Sequence, residues 1–253
     1  LQSYYELHSN KKYDESVRYS FGFEGFLDNL RGVSSHYSSG YISAAQLDNT
    51  SSCSFKNQYY PGHIDETDCI KNNCELDKKL IITGPNASGK TTMLKSTTIN
   101  VICSQQIGCG FYESAVINPY THIHSYLNIP DTSERDSLFQ AESRRCKEII
   151  DSIVKCPSEE GYRHFGIFDE LYSGTNPNEA TKSGFAFLKY LSKFNHVDFI
   201  LTTHYVKICS KFKKNKFIRN HKMDVVQDDL GKLKYTYKMK KGISKIEGAI
   251  RIL

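Results

Sequence analysis

Residues 84–91 read Gly84-Pro85-Asn86-Ala87-Ser88-Gly89-Lys90-Thr91, two glycines framing a short insert and followed by a lysine and a hydroxyl. Those residue types at that spacing suit a phosphate. Glycines let a backbone fold round an anion without Cβ clashes, so successive N–H groups converge on it. A helix opening at Gly89-Lys90 adds the positive end of its dipole. Lys90 is then placed to reach the β- and γ-phosphates of a nucleoside triphosphate such as ATP, and Thr91 to offer its hydroxyl to Mg²⁺. With Thr92, residues 84–92 form the candidate binding set. A chance glycine turn is the competing reading, but the loop also follows an apolar run (KLIIT) and precedes helical sequence.

Further along, His164-Phe-Gly-Ile-Phe-Asp169-Glu170 is an apolar run ending in two acids. Beside a phosphate loop, Asp169 fits the Mg²⁺ shell and Glu170 fits a carboxylate that polarises the attacking water. Taken alone, the pair could equally be a helix cap or a solvated strand end. A third run, DFILTT, delivers His204 at its end, where contact with the γ-phosphate is expected.

Positioning these groups requires strands that end together. The spacing predicts strands at 79–83, 164–168 and 198–202, with Lys90, Asp169, Glu170 and His204 at one sheet edge, where open α/β sheets bind ligands. Helices are predicted from Gly89-Lys90 through Gln106 and over 136–155, where Leu138, Phe139, Cys146, Ile149, Ile150 and Ile153 recur at helical spacing. Another starts with Asn176 as cap, Pro177 at the first position and Glu179 closing a capping box. In KLKYTYKMK, Leu233, Tyr235, Tyr237 and Met239 alternate with Lys or Thr, predicting a strand with one apolar and one basic face. Residues 1–33 suggest helix, 34–54 a Ser- and Gly-rich linker, and 55–78 irregular chain.

Composition sets outer limits. Of 253 residues 39% are hydrophobic and 24% charged, enough for one sizeable α/β core. No run is long and apolar enough for a membrane span. The start, lacking Met and a signal-peptide core, reads as internal to a longer chain. Eight scattered cysteines without zinc-ligand spacing suit a reduced intracellular compartment. The net charge of +5 permits an anionic partner without demanding one. Lysines 207, 211, 213, 214, 216 and 222 with Arg219 make a basic stretch that is either a solvated face or a DNA contact.

The motifs, in this order, resemble the ATPase domain of the MutS family of DNA mismatch-repair proteins over roughly residues 55–253. LIITGPNASGKTT is similar to that family's strand and phosphate loop. Gln106-Ile107-Gly108 resembles its step after the first helix, and Ser137-Leu-Phe-Gln-Ala-Glu142 its serine-led signature helix. Phe168-Asp169-Glu170 with Ser173-Gly174-Thr175, Leu201-Thr-Thr-His204-Tyr205, and the late Gly242-Ile-Ser244 run ending at Gly248 also match. The resemblance implies an ABC-class P-loop α/β fold, a layered sheet with flanking helices. It implies ATP hydrolysis with Mg²⁺ and pairing as a homodimer or with a paralogue, so that Ser137 acts in trans on the γ-phosphate. It places Gln106 among the nucleotide contacts and Ile70 and Asn72 in the base pocket, with Cys69 where the family carries an aromatic ring. Double-stranded DNA would be gripped by domains outside this chain, and residues 1–33 would be the tail of a connecting core domain. The expected location is intracellular, nuclear in a eukaryote and otherwise cytoplasm or nucleoid.

Three positions depart from the family pattern. Ala87-Ser88 replaces Met-Gly, Leu171-Tyr172-Ser173 replaces Ile-Gly-Arg, and Cys69 replaces the ring. Gly110-Phe111-Tyr112-Glu113 mimics the family's mismatch-reading motif but follows the first helix of the ATPase, where coincidence explains it. Two rival functions stand beside the resemblance: another ABC-class ATPase of DNA maintenance, and a nucleotide-gated dimerisation module with little hydrolysis.

Overall fold

Strands covered on both faces must be apolar nearly throughout, and three such runs form the centre of the computed structural model. It describes residues 2–50, 52–64, 69–127, 129, 137–227 and 233–246. Gly248 and Asp136 lie outside the described residues. The chain divides into two units, Leu1–Ser43 and Ala44–Leu253.

In the first unit, α1 (Gln2–Ser9) and a 3-10 turn lead into α2 (Asp14–Ser38). The Asn10 side chain accepts from the Lys12 N–H at 3.0 Å, and Arg18 pairs with Asp14 one turn away. No residue of α2 is buried. The helix expected over residues 1–33 therefore continues through residues 34–38, where composition suggests a linker.

From the boundary at Ser43 the chain runs through β1 (Ser43–Leu47), β2 (Ser54–Gln58), β3 (Asn72–Glu75), β4 (Lys79–Thr83) and α3 (Lys90–Ile107). It continues with β5 (Cys109–Gly110), β6 (Ser114–Ile117), β7 (His122–Tyr126), α4 (Leu138–Lys155) and β8 (His164–Asp169). Then come α5 (Pro177–Leu191), β9 (Val197–Thr203), α6 (Val206–Lys211), β10 (Ile218–Gln227) and β11 (Leu233–Lys241). The larger sheet has the order β11-β10-β4-β9-β8-β7, and the smaller one β3-β2-β6-β1-β5. In the larger sheet all neighbours are parallel except β10 and β11.

Alternation along the central strands sends side chains to two cores. Ile81, Phe168, Phe199 and Leu201 meet α4, α5 and α6 on one face. Leu80, Ile82, Phe165, Ile167 and Ile200 meet α3 and the small sheet on the other. At the start of α5 the Asn176 side chain accepts from the Glu179 N–H at 3.1 Å. The capping box is only half formed, because Glu179 accepts from the Thr175 hydroxyl.

Two sequence expectations change. Within 34–54, β1 pairs in parallel with β6, so partner strands supply the order that Ser-rich composition does not. Within 55–78, β2 and β3 pair antiparallel across a break in register, which hides their alternation. The basic stretch is likewise divided between α6, a loop and β10, and Arg219 is engaged by Glu75 and Asp77.

Buried histidines set an acid limit on this fold. Nε2 of His124 lies 2.9 Å from Nδ1 of His164, and rings of His122, His124 and His164 stack. Burial, then the neighbouring His164, His122 and Arg145, push His124 down from 6.5 to about 4. Burial, then Arg219 and Lys241, do the same to His221. The unfolded chain protonates both below about 6.5, whereas the folded chain resists until near 4, so stability present above 6.5 drains away between those values. Urea denaturation should give lower stability at pH 5 than at pH 7.5, with a smaller loss in His124→Gln. A pH-independent midpoint across that window would contradict this origin of the acid limit.

Candidate active site

The strand β4 ends at Thr83 and the chain turns through residues 84–89 into α3. Gly89 takes φ +90, and Ala87, a residue with a Cβ, takes φ +60. Gly84 is required by space: a Cβ there would lie 2.6 Å from Ser88 Oγ and 3.1 Å from Met223 Cβ. No side chain caps the start of α3. Its first N–H groups therefore lack intrahelical partners and open on a cavity of about 700 Å³ lined by residues 86–93 among others. An uncapped N-terminus of a long helix beside a buried lysine is a ready anion site.

Lys90 is 6% exposed. Its ammonium donates to the carbonyls of Gly84 at 3.0 Å and Pro85 at 3.1 Å, and lies 3.9 Å from Glu170 Oε1. Burial pushes its pKa down, while Glu170 and Asp169 pull it back up. Thr91 Oγ1 donates to Asp169 Oδ2 at 3.0 Å, and the Thr202 hydroxyl donates to the other carboxylate oxygen. The register pairing Asp169 with Thr202 accounts for that second bond. Glu170 sits at φ +51, held by its N–H to the Thr202 carbonyl at 2.9 Å. His204 Nδ1 lies 3.4 Å from Glu170 Oε1. The hydrogen bond from His204, ahead of its charge and that of Lys90, holds the Glu170 carboxyl below its ordinary range against the opposing effect of burial.

The structure thus brings Lys90, Thr91, Asp169, Glu170 and His204 together. Thr91 and Glu170 also border a second cavity of about 380 Å³, shared with Leu138, Glu142 and Ser173. Thr91 and Asp169 present adjacent hard oxygen donors, which fits Mg²⁺ better than a soft metal. Ile70, 37% exposed, and Asn72 line the larger cavity with Cys69, Tyr60, His63 and Tyr237.

Two expected residues lie away from both cavities. Gln106 lies sixteen residues after Lys90 on one unbroken helix, roughly 24 Å away at 1.5 Å per residue, and is exposed. Gln106-Ile107-Gly108 is instead a helix end, with Gly108 at φ +71 donating to the Ser104 carbonyl. Ser137 is the exposed cap of α4, where its N–H donates to Gln140 Oε1 at 2.9 Å, and the described linings of both cavities omit it. Tyr112 is buried against Ser104 and Glu113 bonds Lys56 and Asn57, so the Phe-Tyr-Glu look-alike is a structural turn.

Nothing in the sequence marks Tyr237 as a site residue. Strict alternation would put it on one face with Leu233, Tyr235 and Met239. A register break near Met223–Val225 and φ +55 at Tyr237 lift it out, and its ring comes against Gly89. Asn72 fixes that kink, donating to the Tyr237 carbonyl at 3.0 Å and accepting from the Met239 N–H at 2.7 Å. Gln58, buried beneath the cavity, donates to Thr97 at 2.7 Å.

The family model for MutS domain V matches residues 80–252. Curated relatives named DNA mismatch repair protein MutS are similar to the chain. One from Listeria monocytogenes is 26% identical over 183 residues, 68% of this chain and 20% of its own length. One from Persephonella marina is 25% identical over 181 residues, covering 70% and 20%. One from Staphylococcus saprophyticus is 26% identical over 183 residues, covering 71% and 20%. The chain spans about a fifth of the length of these relatives.

Ser88 allows a test of the loop. Its Oγ is buried without a hydrogen-bond partner among the described residues. Removing an unsatisfied hydroxyl stabilises, so Ser88→Ala should gain about 1 kcal/mol. Gly84→Ala should instead lose about 1–3 kcal/mol through overpacking. Equal thermal midpoints for the two variants would refute this packing.

Proposed function

Since this chain belongs to the MutS domain V family, we propose that it is an ATP-binding and ATP-hydrolysing domain of a MutS-like DNA mismatch-repair protein. One observation carries the reading: a buried lysine and an uncapped helix start share a cavity with Glu170, which His204 contacts, while Thr91 on the same helix start is bonded to Asp169. A triphosphate needs all of them.

The chain's residues divide the work. Helix α3 and the amides of residues 86–92 receive the phosphates. Lys90 exchanges its carbonyl partners for β- and γ-phosphate oxygens, which replaces neutral dipoles around its charge by anionic acceptors. Thr91 and Asp169 would hold Mg²⁺, which would supply positive charge to neutralise the phosphates. Glu170, kept ionised by His204 and Lys90, accepts a hydrogen bond from water and aims it in line with the γ-phosphorus. His204 also supplies a donor for charge developing on the γ-phosphate. Ile70 and the rings of Tyr60 and Tyr237 offer apolar surface to the base, so a flat aromatic face does not depend on Cys69.

In this reading the domain acts in a pair, as a homodimer or with a paralogue. The exposed Ser137 at the start of α4 then completes the site of the opposite subunit, bringing a helix N-terminus to the γ-phosphate. Duplex DNA is bound by other domains, to which residues 1–33 lead, and nucleotide state is coupled to the DNA clamp through them. Among the described residues no helix is long and apolar enough to cross a membrane.

Lys90→Ala should weaken MgATP binding by at least a hundredfold, roughly 3 kcal/mol. Glu170→Gln should bind MgATP normally and turn over at least a hundredfold more slowly, again roughly 3 kcal/mol of barrier. Equilibrium binding and steady-state phosphate release separate the two effects. Normal turnover by Glu170→Gln would remove the hydrolytic assignment.

A further inference from the structure

Glu142 is an acidic side chain 2% exposed and in no salt bridge among the described residues. It lies one turn into α4, directly over the turn that follows Glu170. Its Oε1 accepts from the Ser173 N–H at 2.9 Å and from the Ser173 hydroxyl at 3.1 Å, and its Oε2 accepts from the Gly174 N–H at 3.2 Å. Two left-handed residues with side chains, Glu170 at φ +51 and Tyr172 at φ +59, form that turn. Such conformations persist only where the surroundings over-determine them. The determinants are visible: Thr202 O takes the Glu170 N–H, Tyr126 OH takes the Tyr172 N–H at 3.1 Å, and Glu142 takes the next two N–H groups. Leu138 adds contact from the first turn of α4, since a Cβ on Gly174 would fall 2.6 Å from its Cγ.

We propose that Glu142 is the positioning residue for Glu170. Its carboxylate fastens α4 to the turn 170–174, so the water-orienting carboxylate and the helix that presents Ser137 move as one body. The chemistry explains why an acid is used. Two backbone N–H groups and a hydroxyl converge on it, and a carboxyl group presents acceptors on both oxygens without an N–H of its own. A glutamine would keep one acceptor and turn its NH₂ toward a backbone N–H. This inference rests on the hydrolytic reading of Glu170.

The test compares Glu142→Gln, Ser173→Ala and Glu170→Gln with the unaltered intact protein. For each, kcat is measured from phosphate release and the MgATP Kd from equilibrium binding. Glu142→Gln should lower kcat by roughly tenfold to a hundredfold, the scale expected for a misplaced catalytic group, while Kd stays within about twofold. Ser173→Ala keeps both backbone bonds, so it should fold normally and lower kcat by only about twofold to threefold, again at constant Kd. Adding Ser173→Ala to Glu142→Gln should cause no further loss, because both act through one contact. Unimpaired kcat in Glu142→Gln beside a stalled Glu170→Gln would overturn the proposal alone. So would a parallel loss of kcat and nucleotide affinity, which marks a general structural role. Full turnover by Glu170→Gln would overturn the hydrolytic reading and this proposal with it.

Discussion

A single buried charge organises this structure. Lys90 opens α3 at the end of a fully buried strand, and its ammonium is removed from bulk water. A buried cation costs several kcal/mol unless partners surround it. Two loop carbonyls and the carboxylates of Asp169 and Glu170 supply them. The two acids come from a strand distant in sequence, so folding the sheet in this order is what makes the lysine tolerable. The arrangement is also unfinished, because carbonyl dipoles and a carboxylate at 3.9 Å compensate an ammonium less well than phosphate oxygens would.

Strand order supplies the rest. With β9 between β4 and β8, Thr202 stands beside Asp169 and Thr203 beside Thr83. Asp169 is therefore fixed by hydroxyls on both sides, Thr91 from α3 and Thr202 from β9, before any metal arrives. Parallel strands deliver their ends to one edge, and that edge collects groups from three separate segments of the chain. Preorganised donors and acceptors of this kind suit charge stabilisation in phosphoryl transfer, where the protein contributes position more than covalent chemistry.

Many of these features are legible in the residues. Runs such as KLIIT and HFGIFD announce doubly covered strands because they lack alternation, and Asn176-Pro177 announces a helix start. The site is readable where one residue type has one role, as with glycines at a tight turn, the lysine after them and the acids at a strand end. Legibility fails where tertiary pairing decides. Nothing local marks residues 43–47 as a strand, since their order comes from β6. Tyr237 follows a clean alternation in sequence, yet a register break and the amide of Asn72 carry it to the cavity. Gln106 misleads for another reason: a short motif that resembles a contact is here the end of α3, capped by Gly108. Glu142 reads as part of a helix signature, and only its three convergent donors show what the carboxylate holds.

Everything therefore turns on where a triphosphate comes to rest. A crystal structure of the protein with Mg²⁺ and a non-hydrolysable ATP analogue measures this most directly. It should show the β- and γ-phosphates against the amides at the start of α3, with Lys90 moved from the Gly84 and Pro85 carbonyls onto phosphate oxygens. Mg²⁺ should lie roughly 2.1 Å from the Thr91 hydroxyl, with Asp169 in its shell directly or through water. Phosphates bound away from α3, or Lys90 still held by the two carbonyls with nucleotide present, would contradict it.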